Sequence, residues 1–334
     1  MRVFKVLLML VVVAVAAGVV GFRYWQAQLL SPLAIEKEQI FEVPRGASLT
    51  KVVSDLEAEG IIEASWPYKV WARLEPTAVN GLRAGEFRLT PGLNGRELVA
   101  LLSSDEVVSY TLTVPEGWTF AQLRTAINVA PKLEHATQEM STADLMTAIG
   151  AGDEKPEGRF FPDTYRYHKG VSDISLFKRA HKRMAITLEE VWANRDQGLP
   201  ISSAYEALIL ASLIERETGA PEERGEIAGV FKRRLERGMR LQTDPTVIYG
   251  LGDDYDGSLS RVDLRKPTPW NTYVITGLPP TPIAMPGRAA LEAAVHPRPG
   301  DTYYFVAKGE GRHQFSRTLR EHNNAVRRYI LNRD

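Results

Sequence analysis

Cysteine is absent from this 334-residue chain, which removes disulfides, thiolate metal sites and a cysteine nucleophile at once. Net charge is absent too. The 41 basic residues balance 41 acidic ones, leaving neither a basic footprint for nucleic acid nor an acidic tail. Six histidines are scattered without a His-x-x-x-His or similar pair, so no zinc site or other metal centre is expected. There is no Gly-rich phosphate loop and no Gly-x-Ser-x-Gly elbow, which argues against kinase, dehydrogenase and serine-hydrolase chemistry. No cofactor is implied. What remains is an ordinary composition, 44% hydrophobic with 9% aromatic residues, long enough for two or three modules.

One long apolar run stands out, Val6–Phe22, with no charged or strongly polar side chain. As a helix it spans about 25 Å, slightly short of a ~30 Å hydrocarbon core. Phe4 and Trp25 extend it, and Lys5 can snorkel. Arg2 and Lys5 ahead of the run place the N-terminus in the cytoplasm, while Tyr24–Trp25 suits the outer interface. Residues 1–25 therefore read as a cytoplasmic tip and single-pass anchor in the cytoplasmic (inner) membrane. The rest of the chain is expected outside it, in the periplasm of a Gram-negative cell. The competing reading is a cleaved signal peptide, because Ala14-Val15-Ala16 and the small residues after it resemble a cleavage site. Apolar length favours the anchor.

The fold class is α+β. A polar stalk over 26–39 leads to a module at 40–105, an intermediate region of the catalytic half at 106–200, and a catalytic domain at 201–334. In the module, alternating Ile40–Val43 reads as a strand and Pro44-Arg45-Gly46 as a turn. Ser48 caps a helix over Leu49–Glu59, a second helix follows at Trp66–Leu74, then a strand at Gly85–Leu89 and a helix at Arg96–Ser103. The phrase Val43-Pro44-Arg45-Gly46-Ala47-Ser48-Leu49 returns as Val114-Pro115-Glu116-Gly117-Trp118-Thr119-Phe120. It is either a recurrent βα turn or part of a β-α-α-β unit resembling LysM modules, which bind glycans rich in N-acetylglucosamine. A late strand around Tyr303–Val306 and a terminal helix over Glu321–Leu331 complete the reading.

Two segments hold candidate chemistry. Gly158–Tyr167 concentrates aromatics, with Phe161, Tyr165 and Asp163 reading either as a sugar platform or as a core-packing loop. Ser203 to Glu206 has the form of a capping box opening a helix that is apolar on most sides through Ile214, with Gly219 as its expected stop. Glu215 and Glu217 thus arrive at the C-terminal end of a buried helix. Burial and the negative end of the macrodipole both disfavour a carboxylate there, so either glutamate is a candidate general acid at neutral pH. Helix geometry does not choose between them; two glutamates fraying into solvent is the plain alternative.

The phrases Ala211–Thr218, Val230–Leu235 and Gly238–Gly250 closely resemble the membrane-anchored endolytic murein transglycosylases of the YceG-like family. So do Asn271-Thr272-Tyr273, Gly277–Pro280, Ala284–Gly287 and His313-Gln314-Phe315. The resemblance covers nearly the whole chain. It implies that the second glutamate of Glu-x-Glu-Thr, Glu217, is the catalytic acid, with Glu215 as a neighbour. It also implies a peptidoglycan glycan strand as substrate, cleaved between N-acetylmuramic acid and N-acetylglucosamine with a 1,6-anhydro product, and peptidoglycan polymerases as partners. Gln242, Thr243, Asp244, Tyr249, Asn271 and Tyr273 read as groove residues or structural turns. A lysozyme-type hydrolase using Asp163 or Asp244 as second carboxylate, and a non-catalytic glycan-binding scaffold, are the rival classes.

Overall fold

In the computed structural model, which describes residues 2–79 and 81–331, the apolar run forms a single helix, α1 (Arg2–Leu30). It is long and apolar enough to cross a membrane. Its large apolar side chains are exposed from Val3 to Phe22. Beyond that point the helix changes role: Trp25 and Leu29 are buried in a folded core.

That core belongs to the first of two compact units, formed by residues up to Tyr110 with Arg166–Val171. It contains β1 (Gln39–Val43), α2 (Leu49–Ala58), α3 (Trp66–Leu74), α4 (Pro76–Val79), β2 (Gly85–Leu89) and α5 (Gly95–Leu102). Strands β1 and β2 pair antiparallel, with Phe41 opposite Phe87 and Gln39 opposite Leu89. Alternation sends Phe41 and Val43 inward to meet Val52, Val53 and Leu56 of α2. The expected strand, two helices and strand occur in order, with the short α4 added before β2. Gly46 has φ +73°, a left-handed turn conformation that glycine adopts without strain, and the Ser48 hydroxyl accepts from the Lys51 N–H at 3.3 Å to start α2.

The stretch expected as a polar stalk is different. Helix α1 continues through it to Leu30, Leu29 is fully buried, and Ile35 joins the same core. Polar composition at Gln26 and Gln28 hid this because a single buried stripe needs only one residue per turn.

The second unit takes Thr111–Tyr165 and the chain from Ser172 onward. Strands β3 (Tyr110–Thr113) and β4 (Thr164–Tyr167) pair in a two-stranded sheet. Helices α6 (Phe120–Asn128) and α7 (Thr142–Ile149) lie between these strands in sequence, and α8 (Asp173–Ala193), α9 (Ala204–Glu217), α10 (Arg224–Glu236), α11 (Asp244–Leu251) and α12 (Arg288–Val295) follow β4. The hairpin β5 (Tyr304–Gly309) and β6 (Arg312–Ser316) and helix α13 (Leu319–Tyr329) close the chain. The recurrent turn phrase repeats in space: Gly117 has φ +79°, and Thr119 with Gln122 forms the capping box of α6. Helix α9 is the axis of this unit. Ala207 through Ile214 are buried without a break, packed by α8, α10 and α12.

The role of the α1 terminus in folding is testable. Leu29→Ala should lower the unfolding free energy of the full chain in detergent by about 2–5 kcal/mol. Leu30→Ala, at an exposed neighbour, should change it by no more than ~0.5 kcal/mol. Equal small effects in chemical unfolding would return residues 26–30 to a free stalk.

Candidate functional site

The site grows from the way α9 ends. Its N-cap is half the expected box: the Ser203 hydroxyl accepts from the Glu206 N–H at 3.2 Å, but the Glu206 carboxylate turns to Ser202. At the other end the stop is not Gly219 in a left-handed conformation. Thr218 turns extended, at φ −145° and ψ 137°, and its hydroxyl accepts from the Ala220 N–H at 3.0 Å. The helix therefore terminates at Glu217. Glu215 and Glu217 are about 200° apart around the axis, so they enter different surroundings.

Glu217 Oε1 accepts a hydrogen bond from the Thr243 hydroxyl. Desolvation pushes its carboxyl up to about 7; the Thr243 bond pulls down, the Asp244 charge pushes up and Arg234 pulls down, each by less. A carboxyl with that poise holds its proton at neutral pH and can give it up.

The loop before α11 is built to hold this arrangement. Gln242 sits at φ +52°, a left-handed conformation uncommon for a residue with a Cβ. It is fixed from both sides: its N–H donates to the Thr272 carbonyl at 3.2 Å, and its side-chain oxygen accepts from Arg234 at 3.4 Å. Buried Arg234 also donates to the carbonyls of Tyr303, Arg240 and Leu241 at 2.7, 3.1 and 2.8 Å. The Thr243 N–H donates to the Thr272 hydroxyl at 3.0 Å, which lies 2.8 Å from the Thr246 hydroxyl. These bonds orient Thr243 towards Glu217. Asp244, the first residue of α11, accepts from the Tyr273 hydroxyl at 2.6 Å, and burial raises the Tyr273 phenol further above its usual range.

Glu215 faces the opposite side. Its carboxylate accepts from the Gly287 N–H at 3.0 Å and from Arg224 at 3.4 Å, and Arg224 also reaches Glu116 at 3.6 Å. Burial raises its pKa, while Gly287 and Arg224 oppose the rise. A side chain at 287 would collide with the Glu116 carboxylate, so glycine is required there by close approach. The Pro-rich loop through Pro286 is buried over 281–287 and lies against α9, with the Ile283 N–H donating to Ser212 at 3.0 Å. Arg216 donates to the Gly117 carbonyl at 3.2 Å, tying the second turn phrase to the same helix end.

Thr243 and Asp244 thus act directly on the Glu217 carboxyl, with Gln242 and Tyr273 one contact further out. Asn271 stands behind them, fully buried, its amide nitrogen taken up by the carbonyls of Asp263, Leu264 and Lys266. The aromatic loop gathers elsewhere, at α8. Phe161 packs under Arg183, Tyr165 donates to the Phe161 carbonyl at 2.5 Å, and Asp163 pairs with Arg183. Tyr249 takes a third position. Its hydroxyl donates to Glu157 at 3.0 Å, and Glu157 also accepts from the Phe120 N–H at 3.0 Å. Burial pushes the Glu157 carboxyl up to about 6. Glu157 and Arg234 are two charged groups whose part in the site sequence reading passed over. Each sat inside or beside a phrase already singled out, Gly158–Tyr167 and Val230–Leu235. Among the described residues, no group of three or more His, Asp or Glu side chains converges as a metal site would.

The model of the YceG-like family matches residues 41–328. An endolytic murein transglycosylase of Bacillus subtilis is 30% identical, the match covering 94% of this chain and 91% of that protein. One from Streptococcus pneumoniae is 26% identical over 94% of this chain but only 63% of its own length. The crystal structure of a yceG-like protein from Listeria monocytogenes is similar with a TM-score of 0.56 and 29% identity, covering 87% of this chain and 99% of that one. A match across most of the chain, with the phrases around Glu217 inside it, makes this protein a member of the YceG-like family.

Proposed function

We propose that this chain is a membrane-anchored endolytic peptidoglycan transglycosylase that cuts glycan strands between N-acetylmuramic acid and N-acetylglucosamine. One observation carries the reading: the Glu217 carboxyl, desolvated and raised to about 7 at a helix end, is held by Thr243. Protonated Glu217 donates to the glycosidic oxygen as positive charge develops at the muramoyl C1, and the bond to the leaving sugar breaks. The resulting carboxylate then takes the proton of the muramoyl C6 hydroxyl, whose oxygen bonds to C1 and closes a 1,6-anhydro ring. The proton returns to Glu217. Neither water nor a second carboxylate is consumed. Asp244 acts through charge, keeping Glu217 protonated, and Tyr273 holds Asp244 in place.

Helix α1 anchors the enzyme in the cytoplasmic membrane with its N-terminus inside and both units outside. Its substrate would there be the strand leaving a membrane-bound polymerase, so cutting sets strand length. The β-α-α-β unit is proposed as a LysM-like capture surface. The groove lined by Arg88, Thr90, Glu97 and Ser104 offers about 730 Å³ for it.

Two experiments test this reading. Glu217→Gln should lower turnover of purified sacculi by ~10² or more with folding kept, and Glu215→Gln should cost less. Mass analysis of wild-type products should find anhydro ends. Reducing ends would mean a hydrolase, and a dead Glu215→Gln beside an active Glu217→Gln would overturn the assignment. The second experiment is the pH profile. Because Glu217 must be protonated to donate, turnover should fall as pH rises through about 7. Thr243→Val removes a bond that favours the carboxylate, so the alkaline limb should move up by a few tenths to about one pH unit. Asp244→Asn removes a charge that disfavours it, so the limb should move down. Shifts of the same sign would rule out Glu217 as the titrating acid.

A further inference from the structure

The junction of α1 with the first unit places an aromatic side chain where no local sequence signal put one. The apolar run of α1 ends at Phe22. Two residues on, about 3 Å further along the axis, the Tyr24 ring stacks on Trp66 of α3 with centroids 6.3 Å apart and planes at 15°. Trp25 packs beside Phe22, and its indole N–H donates to the Pro67 carbonyl at 2.9 Å. One turn later Leu29 is fully buried in the core of the unit. Trp66 itself is 44% exposed, a large apolar surface left uncovered at the start of α3 while its neighbours Pro67 and Tyr68 are buried.

Contacts at positions 24, 25 and 29, spread over more than one turn, hold the end of α1 against the unit. The end of the membrane-length helix is thereby part of the folded core of the β-α-α-β unit. Whatever depth Phe22 takes therefore fixes the depth of Trp66. An indole combines an apolar body with one polar N–H, and it is most stable at the headgroup level of a bilayer. We infer that Trp66 and Tyr24 form a membrane-docking patch that seats the first unit on the outer headgroup layer of the bilayer that α1 crosses. The occupant of the exposed Trp66 face is lipid, by continuity with the apolar surface of α1. The inference rests on the reading of α1 as a membrane span. It adds that the unit is held against the bilayer at a fixed height instead of swinging on a tether.

The cysteine-free chain makes the test clean. Single cysteines at Leu10→Cys and Trp66→Cys are spin-labelled in the full chain, reconstituted into phosphatidylcholine–phosphatidylglycerol nanodiscs. Collision with oxygen and with a water-soluble nickel chelate then reads depth. The label at 10 should lie in hydrocarbon. The label at 66 should lie within about 10 Å of the headgroup–acyl boundary, with nickel collisions reduced severalfold and oxygen collisions retained. A label at 66 as open to nickel as one in solution, with the label at 10 in hydrocarbon, overturns the docking patch and leaves the anchor intact. Nickel access at 10 overturns both. Protection at 66 from both reagents means a protein cover and also overturns the proposal. Because the label replaces the indole, Trp66→Phe provides a second readout. Brominated lipids should quench a component of wild-type tryptophan emission that this variant lacks, and equal quenching in the two proteins contradicts the patch.

Discussion

Desolvation of the Glu217 carboxyl is the constraint around which the second unit is arranged. A glutamate raised from 4.5 to about 7 in the folded state is a destabilising feature once it ionises, on the order of 3 kcal/mol at alkaline pH. The sign follows from the raised folded value. The folded state holds this proton more tightly than the unfolded chain, so the contribution of Glu217 to stability is full below about 4.5 and is lost as pH rises through about 7. Other parts of the unit offset that penalty. Eight successive buried positions make α9 a rigid post, and Arg234 ties α10, the 240–242 loop and Tyr303, just before β5, with four hydrogen bonds. The left-handed Gln242 is tolerated because those bonds over-determine it. Strain and desolvation fall within a few residues of each other, where a general acid has to be placed.

The two glutamates of the Glu-x-Glu-Thr phrase divide the work between poise and position. Glu215, caught between Gly287 and Arg224, has its oxygens engaged by groups that favour the charged form and pins the loop that lies along α9. Glu217 is desolvated beside the Asp244 charge, and together these outweigh its one hydroxyl donor and Arg234, so the neutral form is favoured. Within the first unit the same economy appears at the end of α1, where one helix serves both as a candidate membrane span and as part of a soluble core.

Local signals were legible in the sequence to within a residue or two. Hydroxyl caps at Ser48 and Thr119, the alternation of Ile40–Val43 and the largely apolar surface of α9 each became the element they announced. The pair Glu217 and Thr243 was on the candidate list, and the structure brings the two into contact. Elements and partners set by long-range contact were not readable. Glu157 meets Tyr249 across 92 residues, and Arg234 meets Tyr303 across 69, with no periodicity to betray either. Strand β6 was missed because His313–Phe315 has the form of a strand only opposite β5. The aromatic loop was visible as a concentration of rings, but its direction, towards Arg183 and α8, depends on tertiary packing.

The central claim, that burial keeps Glu217 protonated at neutral pH, is tested most directly by titrating its side-chain carboxyl carbon by ¹³C NMR. Glutamate-labelled protein would be used, with the resonance identified by its loss in Glu217→Gln. A midpoint near 7 is the result the structure predicts. A midpoint in the ordinary glutamate range, about 4.3, would contradict it and leave the site without its acid.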